Sequence, residues 1–166
     1  ISSVSASKSN KEKIKDSEQF KQFSESYARV EEHYKEMLSN SLYNNRAFRS
    51  NELLKETIDL LKPNGHEISV FDMLHCMRDY DDATFVHALN TALICNVFAG
   101  WLGWNEEDTD ALTLAGLLHD IGKVIEFECN EQGVVQGYTH AGQLLGHLVI
   151  GAQEVAKTCM EYVAKQ

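Results

Sequence analysis

Residues 83–123, ATFVHALNTALICNVFAGWLGWNEEDTDALTLAGLLHDIGK, decide the fold of this chain. The part up to Trp101 is apolar on most faces, which predicts a long helix at the centre of a core. Gly103 is expected to end this helix. Asn105 is expected to cap a second helix, which starts with acidic residues and continues through a leucine-rich segment to Gly122. The stretch therefore predicts two consecutive helices with polar groups at the end of the second.

Residues 117–123, LLHDIGK, place these polar groups beside a buried face. A neutral imidazole and a carboxylate are both metal ligands, and the partial negative charge of a helix C-terminus favours a cation. Lys123 follows at a distance suited to a phosphate oxygen. Together, His119, Asp120 and Lys123 predict a site for a metal ion and a phosphate group.

Two residues cannot hold a metal ion, so further ligands are expected from other helices. His87 lies in the helix before the His119-Asp120 pair, and His147 lies in the last predicted helix. Each is surrounded by apolar residues, which alone is typical of a core histidine. Beside the His-Asp pair, both become candidate ligands. His140, in a predicted loop, is a spare candidate.

The remaining sequence predicts further helices and an all-α fold. Residues 1–12 are rich in Ser, Lys and Asn, and we expect them to be disordered. Residues 13–62 are expected to form an N-terminal helical region, and residues 63–166 a compact helical domain. Within that domain, residues 124–140 predict either a small hairpin or an irregular loop, and residues 142–166 a last amphipathic helix.

Small and polar residues predict several local features. Gly116 and Gly146 would let helices approach each other closely. Ser50 or Asn51 is expected to cap the helix that runs to about Lys62.

An aromatic and aliphatic seam marks the N-terminal helical region. Its members recur with spacings of 3, 4, 3, 4 and 3, which is a heptad pattern. They are Phe20, Phe23, Tyr27, Val30, Tyr34 and Met37. The seam is expected either to pair with a second copy, giving a coiled-coil homodimer through residues 20–37, or to pack within its own chain.

Charge and cysteine content limit the partners. The formal net charge is −10, and residues 104–166 hold three basic against ten acidic side chains. This balance disfavours nucleic acid and suits bound cations that bridge to an anionic substrate. The four cysteines form no CxxC pair, so we expect buried thiols in the reducing cytoplasm. No apolar run approaches the roughly 20 residues of a membrane span, so no membrane partner is expected.

The combination of His87 with HDIGK at 119–123 resembles the HD superfamily of metal-dependent phosphohydrolases. The resemblance covers about residues 68–160. Residues 69–123 are most similar to the HD-GYP branch, whose members hydrolyse cyclic di-GMP. The fold implied is an HD-domain helical bundle that follows an N-terminal helical extension.

This resemblance also implies roles for the candidate residues. It implies that His87, His119 and Asp120 bind metal, that Asp120 bridges two ions, and that His147 binds the second ion. Asp120 and Lys123 take the catalytic roles, with Lys123 facing the substrate phosphate. Two divalent transition-metal ions, iron or manganese, would suit these ligands. The substrate implied is a phosphate ester, with a cyclic dinucleotide favoured.

A second branch is similar over residues 138–151, YTHAGQLLGHLVIG, which resemble the HD-type 3′–5′ exoribonucleases. Both branches also imply a later aspartate, and no aspartate follows Asp120. We therefore expect a C-terminally truncated HD domain, ligands supplied from elsewhere, or a degenerate site. Three functions stay open: a metal-dependent phosphodiesterase, a non-catalytic sensor or dimerisation module, and a 3′–5′ exoribonuclease.

Overall fold

The computed structural model describes residues 8–44, 49–62, 68–77, 83–129 and 135–163. In these residues the chain forms eight helices and one two-stranded sheet. The elements are α1 (Asn10–Asp16), α2 (Glu18–Asn44), α3 (Ser50–Asp59), α4 (Val70–Met77), α5 (Ala83–Trp101), α6 (Glu106–Leu118), α7 (Lys123–Glu126), β1 (Phe127–Cys129), β2 (Val135–Tyr138) and α8 (His140–Val163). The prediction of an all-α fold is confirmed. The contacts divide the chain into two compact units, residues 1–86 and 87–166, with the division inside α5.

The first unit is built around α2, whose heptad seam is buried. All six seam residues belong to the core, and Tyr27 has no exposed surface. Helices α1, α3 and α4 contact α2. The Tyr27 hydroxyl donates to the carbonyl of Val86 at 3.2 Å, and the rings of Tyr34 and Phe85 pack edge to face. Of the two partners expected for the seam, the structure shows its own chain, so these residues are not free to form a coiled-coil dimer.

Two helix starts in this unit differ from the predictions. Ser9 caps α1 with a capping box, so the helix begins inside the segment 1–12 for which we expected disorder. Residues 1–7 lie outside the described part. Arg49 precedes α3 without a side-chain cap, and Ser50 is already helical. The prediction of a Ser50 or Asn51 cap is therefore wrong, and the Arg49 guanidinium instead pairs with Glu52 at 2.9 Å.

In the second unit, α5 and α6 pack through their backbones. Leu89, Ala92 and Leu93 of α5 are fully buried. A β-carbon at Gly116 would lie 2.8 Å from the Cα of Ala92, so only glycine permits this approach, as predicted. Only the middle of α5 is buried in the core, whereas Trp101 at its end is 68% exposed.

The turn between α5 and α6 follows its predicted chemistry. Gly103 has a φ of 72°, and its N–H donates to the carbonyl of Gly100. The side chain of Asn105 accepts the N–H of Asp108 at 2.8 Å and caps α6. Both predictions are confirmed, because each depends on local backbone geometry that the residue type itself determines.

The last part of the unit is a hairpin followed by a kinked helix. Strands β1 and β2 pair antiparallel, with Phe127 opposite Tyr138, so the hairpin alternative is correct. Helix α8 is interrupted at Gly146, where φ is 71° and ψ is 161°. Gly146 therefore provides a kink, and not the close helix approach that we predicted, since a β-carbon there would meet only the distant Glu126 carboxylate.

Candidate metal centre

A short turn between α6 and α7 presents His119 and Asp120. Helix α6 ends at Leu118, before the predicted end at Gly122, and tight backbone hydrogen bonds continue from Ile121 and Lys123. Gly122 has φ −65° and ψ −19°, an ordinary right-handed conformation, so it does not end the helix as predicted. Glycine is required there because a β-carbon would collide with the carbonyl of His147.

The carboxylate of Asp120 is the centre of the site. Its side chain is only 6% exposed. Its Oδ2 lies 3.3 Å from Nε2 of His119 and 3.7 Å from Nε2 of His87, and the two Nε2 atoms are 3.2 Å apart. Among the described residues, these three side chains form a group whose ligand atoms all lie within 4.8 Å of one another. The structure thus brings together three residues from two separate parts of the sequence.

His147 lies on the opposite side of the same carboxylate. Its Nε2 is 3.5 Å from Oδ1 of Asp120, and it is not a member of the three-residue group. The two oxygens of Asp120 therefore face different histidines. This arrangement is what a carboxylate that bridges two ions requires.

Hydrogen bonds to the other ring nitrogens orient two of the histidines. Nδ1 of His119 lies 2.8 Å from the carbonyl of Gly116, which can only accept, so Nδ1 carries the proton. Nδ1 of His147 lies 2.9 Å from the carboxylate of Glu126. In both rings, Nε2 is the nitrogen that faces Asp120.

Lys123 contacts the same carboxylate. Its ammonium donates to Oδ2 of Asp120 at 2.6 Å, and its side chain is 30% exposed. Burial by itself raises the pKa of Asp120. The hydrogen bond from Lys123 and the nearby charges of His119, Lys123 and His147 outweigh burial and hold this pKa below its usual value. Asp120 is therefore an anion at neutral pH.

These residues fit a divalent transition metal. The donors are imidazole nitrogens and one buried carboxylate, which is the set that iron, manganese and zinc prefer. Ligands about 2.1 Å from one ion lie about 3 Å apart when adjacent, and the separations of 3.2, 3.3 and 3.7 Å around Oδ2 are close to this spacing. On the Oδ1 side, only His147 is at a comparable distance among the described donors.

Other histidines and acids stay outside the centre or outside the described residues. His140 is the exposed first residue of α8 and is not part of the donor group. Residues 78–82, RDYDD, for which a supporting role near His87 was considered, lie outside the described part. A second group, His33 with Glu52 and Glu56, lies on the first unit, where Glu52 is already paired with Arg49.

The sequence analysis missed Glu126. This carboxylate is only 8% exposed and makes two hydrogen bonds to His147. The available signal was an acid between Ile125 and Phe127 in an otherwise apolar segment, since charged residues are rarely buried without a partner.

Comparison with known proteins is consistent with this centre. Residues 84–165 match the protein family described as HD domain. No curated protein and no solved structure shows a match to the chain. None of the described helices is both long and apolar enough to cross a membrane. The matched range contains every side chain of the centre, and HD domains bind divalent metals. The match over residues 84–165 supports a place for this part of the chain in the HD superfamily of metal-dependent phosphohydrolases.

Proposed function

We propose that the chain is a metal-dependent phosphodiesterase that hydrolyses a cyclic dinucleotide such as cyclic di-GMP. One observation supports this most directly: three histidine Nε2 atoms surround the two oxygens of one buried carboxylate, 3.3 to 3.7 Å away. Imidazole nitrogens and a carboxylate grouped this closely are a donor set that suits a divalent transition-metal cation.

Each residue has a defined task in this proposal. His87, His119 and Asp120 would hold one ion, and His147 together with Asp120 would hold the other. A divalent metal bound there supplies Lewis-acid polarisation of the phosphate ester and makes water more acidic. Lys123, whose ammonium now donates to Asp120, would bind a non-bridging phosphate oxygen of the substrate. The donors suit iron and manganese equally.

The charge distribution favours a small phosphodiester. Residues 104–166 carry a formal charge of −7, from three basic and ten acidic side chains. A long polyanion would be repelled by this surface, whereas the few charges of a cyclic dinucleotide can be neutralised by two metal ions and Lys123. The similarity of residues 69–123 to the HD-GYP branch supports the same substrate class.

A 3′–5′ exoribonuclease is the second candidate, favoured by the segment 138–151. Thr139 caps α8 by accepting the N–H of Gly142 at 2.9 Å, and Gly146 provides the kink just before His147. The residues that resemble the exoribonuclease branch are thus the ones that place the fourth donor.

Hydrolysis assays on metal-loaded protein test both candidates. We expect release of a linear dinucleotide from cyclic di-GMP with Mn²⁺ or Fe²⁺, and a loss of about 100-fold or more in rate in His119→Ala and in Asp120→Ala. His75→Ala, an exposed histidine of α4, is the matched control and should retain full activity. Shortening of 3′-labelled RNA with cyclic di-GMP left intact would favour the exoribonuclease. A chain that binds the metal and cleaves neither substrate would instead be the non-catalytic module.

A further inference from the structure

We propose that Glu126 is a positioning residue that fixes the orientation and the tautomer of His147 for metal binding. This inference rests on the proposed function, since it concerns the same centre. It extends the centre to a side chain that reaches Asp120 through His147 and that the sequence analysis did not identify.

The carboxylate of Glu126 holds His147 at two points. Oε2 accepts the ring N–H at Nδ1 at 2.9 Å, and Oε1 accepts the backbone N–H at 3.1 Å. One side chain thus restricts both the rotation of the ring and the backbone from which the ring projects. The remaining ring nitrogen, Nε2, points to Oδ1 of Asp120 at 3.5 Å.

The kink in α8 makes the backbone bond possible. At Gly146 the left-handed φ of 71° interrupts an otherwise continuous helix, and the next N–H, that of His147, donates to Glu126. Side chains other than glycine rarely adopt this conformation. The break at Gly146 therefore lies at the position that lets the backbone N–H of His147 donate to Glu126.

The backbone of Glu126 is itself tightly held against α8. The N–H of Thr139 donates to the carbonyl of Glu126 at 2.9 Å, and the Thr139 hydroxyl donates to the carbonyl of Ile125 at 2.8 Å. A β-carbon at Gly142 would collide with the carbonyl of Glu126. These contacts fix the distance between the carboxylate and the histidine, so the pair acts as a rigid unit.

The geometry makes a specific prediction for Glu126→Gln. The backbone N–H of His147 can only donate, so it requires the amide oxygen of glutamine. The amide NH₂ then faces Nδ1, and the ring can satisfy it only by moving its proton to Nε2. A protonated Nε2 cannot bind metal. The variant keeps the shape of the pair and removes its metal-binding tautomer.

Nitrogen-15 NMR of the imidazole rings in the metal-free chain, at mildly alkaline pH, tests the tautomer directly. We expect His147, assigned by comparison with His147→Ala, to carry its proton on Nδ1 in the natural chain and on Nε2 in Glu126→Gln. Glu128→Gln, two residues away and exposed in β1, is the matched control and should keep the natural tautomer. A proton on Nε2 in the natural chain would overturn the proposal even if Glu126→Gln fails to fold.

Titration with Mn²⁺, followed by calorimetry, gives the second measurement. We expect Glu126→Gln to weaken one binding event by about 10- to 100-fold, as is common when a partner of a ligating histidine is lost. His147→Ala should weaken the same event. If His147→Ala binds Mn²⁺ like the natural chain, the ligand assignment of the proposed function fails. If His147→Ala weakens binding and Glu126→Gln does not, the proposed function stands and the role of Glu126 is refuted.

Discussion

Among single residues, Asp120 is the one on which the whole centre depends. Its buried carboxylate faces three histidines and accepts a hydrogen bond from Lys123 at 2.6 Å. In the metal-free chain this ammonium neutralises a charge that would otherwise be costly to bury. Lys123 therefore occupies the oxygen, Oδ2, at which the first metal ion is proposed to bind.

Removing Lys123 should separate metal binding from catalysis. In Lys123→Ala we expect Mn²⁺ to bind about 10-fold more tightly, because a charge-assisted hydrogen bond of about 1.5 kcal/mol no longer has to be broken. Turnover should fall by about 100-fold, because the phosphate loses its cationic partner. Calorimetry and steady-state kinetics measure the two effects.

Lys157→Ala is the matched control for this experiment. Lys157 is 64% exposed on α8 and lies 3.8 Å from Glu154, so its removal should change neither quantity. Weaker Mn²⁺ binding in Lys123→Ala would mean that the lysine supports the metal site and does not compete with the ion.

At the scale of helices and strands, the sequence predicts what local chemistry determines. The Asn105 cap and the Gly103 turn were predictable, because a side-chain oxygen or a left-handed φ acts within a few residues. The residue at which α6 ends was not predictable in this way. Gly122 is required by the carbonyl of His147, a contact between segments far apart in the sequence that no local pattern reveals.

For the candidate site, too, the sequence predicts what local motifs determine and misses what depends on contacts between distant segments. The HDIGK motif and two apolar-flanked histidines predict the residues that the structure brings together around Asp120, although their roles remain proposals. The bond between Lys123 and Asp120 was not predicted, and neither was Glu126, because both depend on tertiary packing. The heptad seam of α2 illustrates the converse: spacing alone does not distinguish a second chain from helices of the same unit.

Two helical glycines should respond in opposite ways to alanine. In Gly116→Ala the new β-carbon would lie 2.8 Å from backbone atoms of Ala92, which cannot rotate away, so we expect a loss of about 1–3 kcal/mol in the free energy of unfolding. In Gly100→Ala the β-carbon meets nothing within 4 Å, and the higher helix propensity of alanine should add about 0.5–1 kcal/mol. Urea denaturation measures both. Equal changes in the two variants would contradict the close packing of α5 and α6.

For the molecule as a whole, the division into two compact units links the centre to stability. Every proposed ligand lies in residues 87–166, whereas the buried seam of α2 lies in residues 1–86. A ligand that binds only the folded state stabilises the part of the chain that must unfold to release it. Metal binding should therefore stabilise the unit of residues 87–166 more than the unit of residues 1–86.

Hydrogen exchange followed by mass spectrometry can resolve this difference. With Mn²⁺ at about 100 times its Kd, the free energy of opening of the second unit should rise by about 2.7 kcal/mol. Exchange of its protected amides should then slow by about 100-fold. Peptides from α6 and α8 should show this protection. Peptides from α2 and α3 should exchange as they do without metal.

Two aspartates of the second unit provide the comparison that makes this test specific. Asp120→Asn removes the carboxylate that is proposed to bridge the two ions and should abolish the protection, whereas Asp110→Asn, in α6 and outside the donor group, should retain it. Equal protection of α2 and α8 would show that the chain opens as one cooperative unit. Protection that survives Asp120→Asn would show that the metal binds elsewhere, because no other described residue contacts all three histidines.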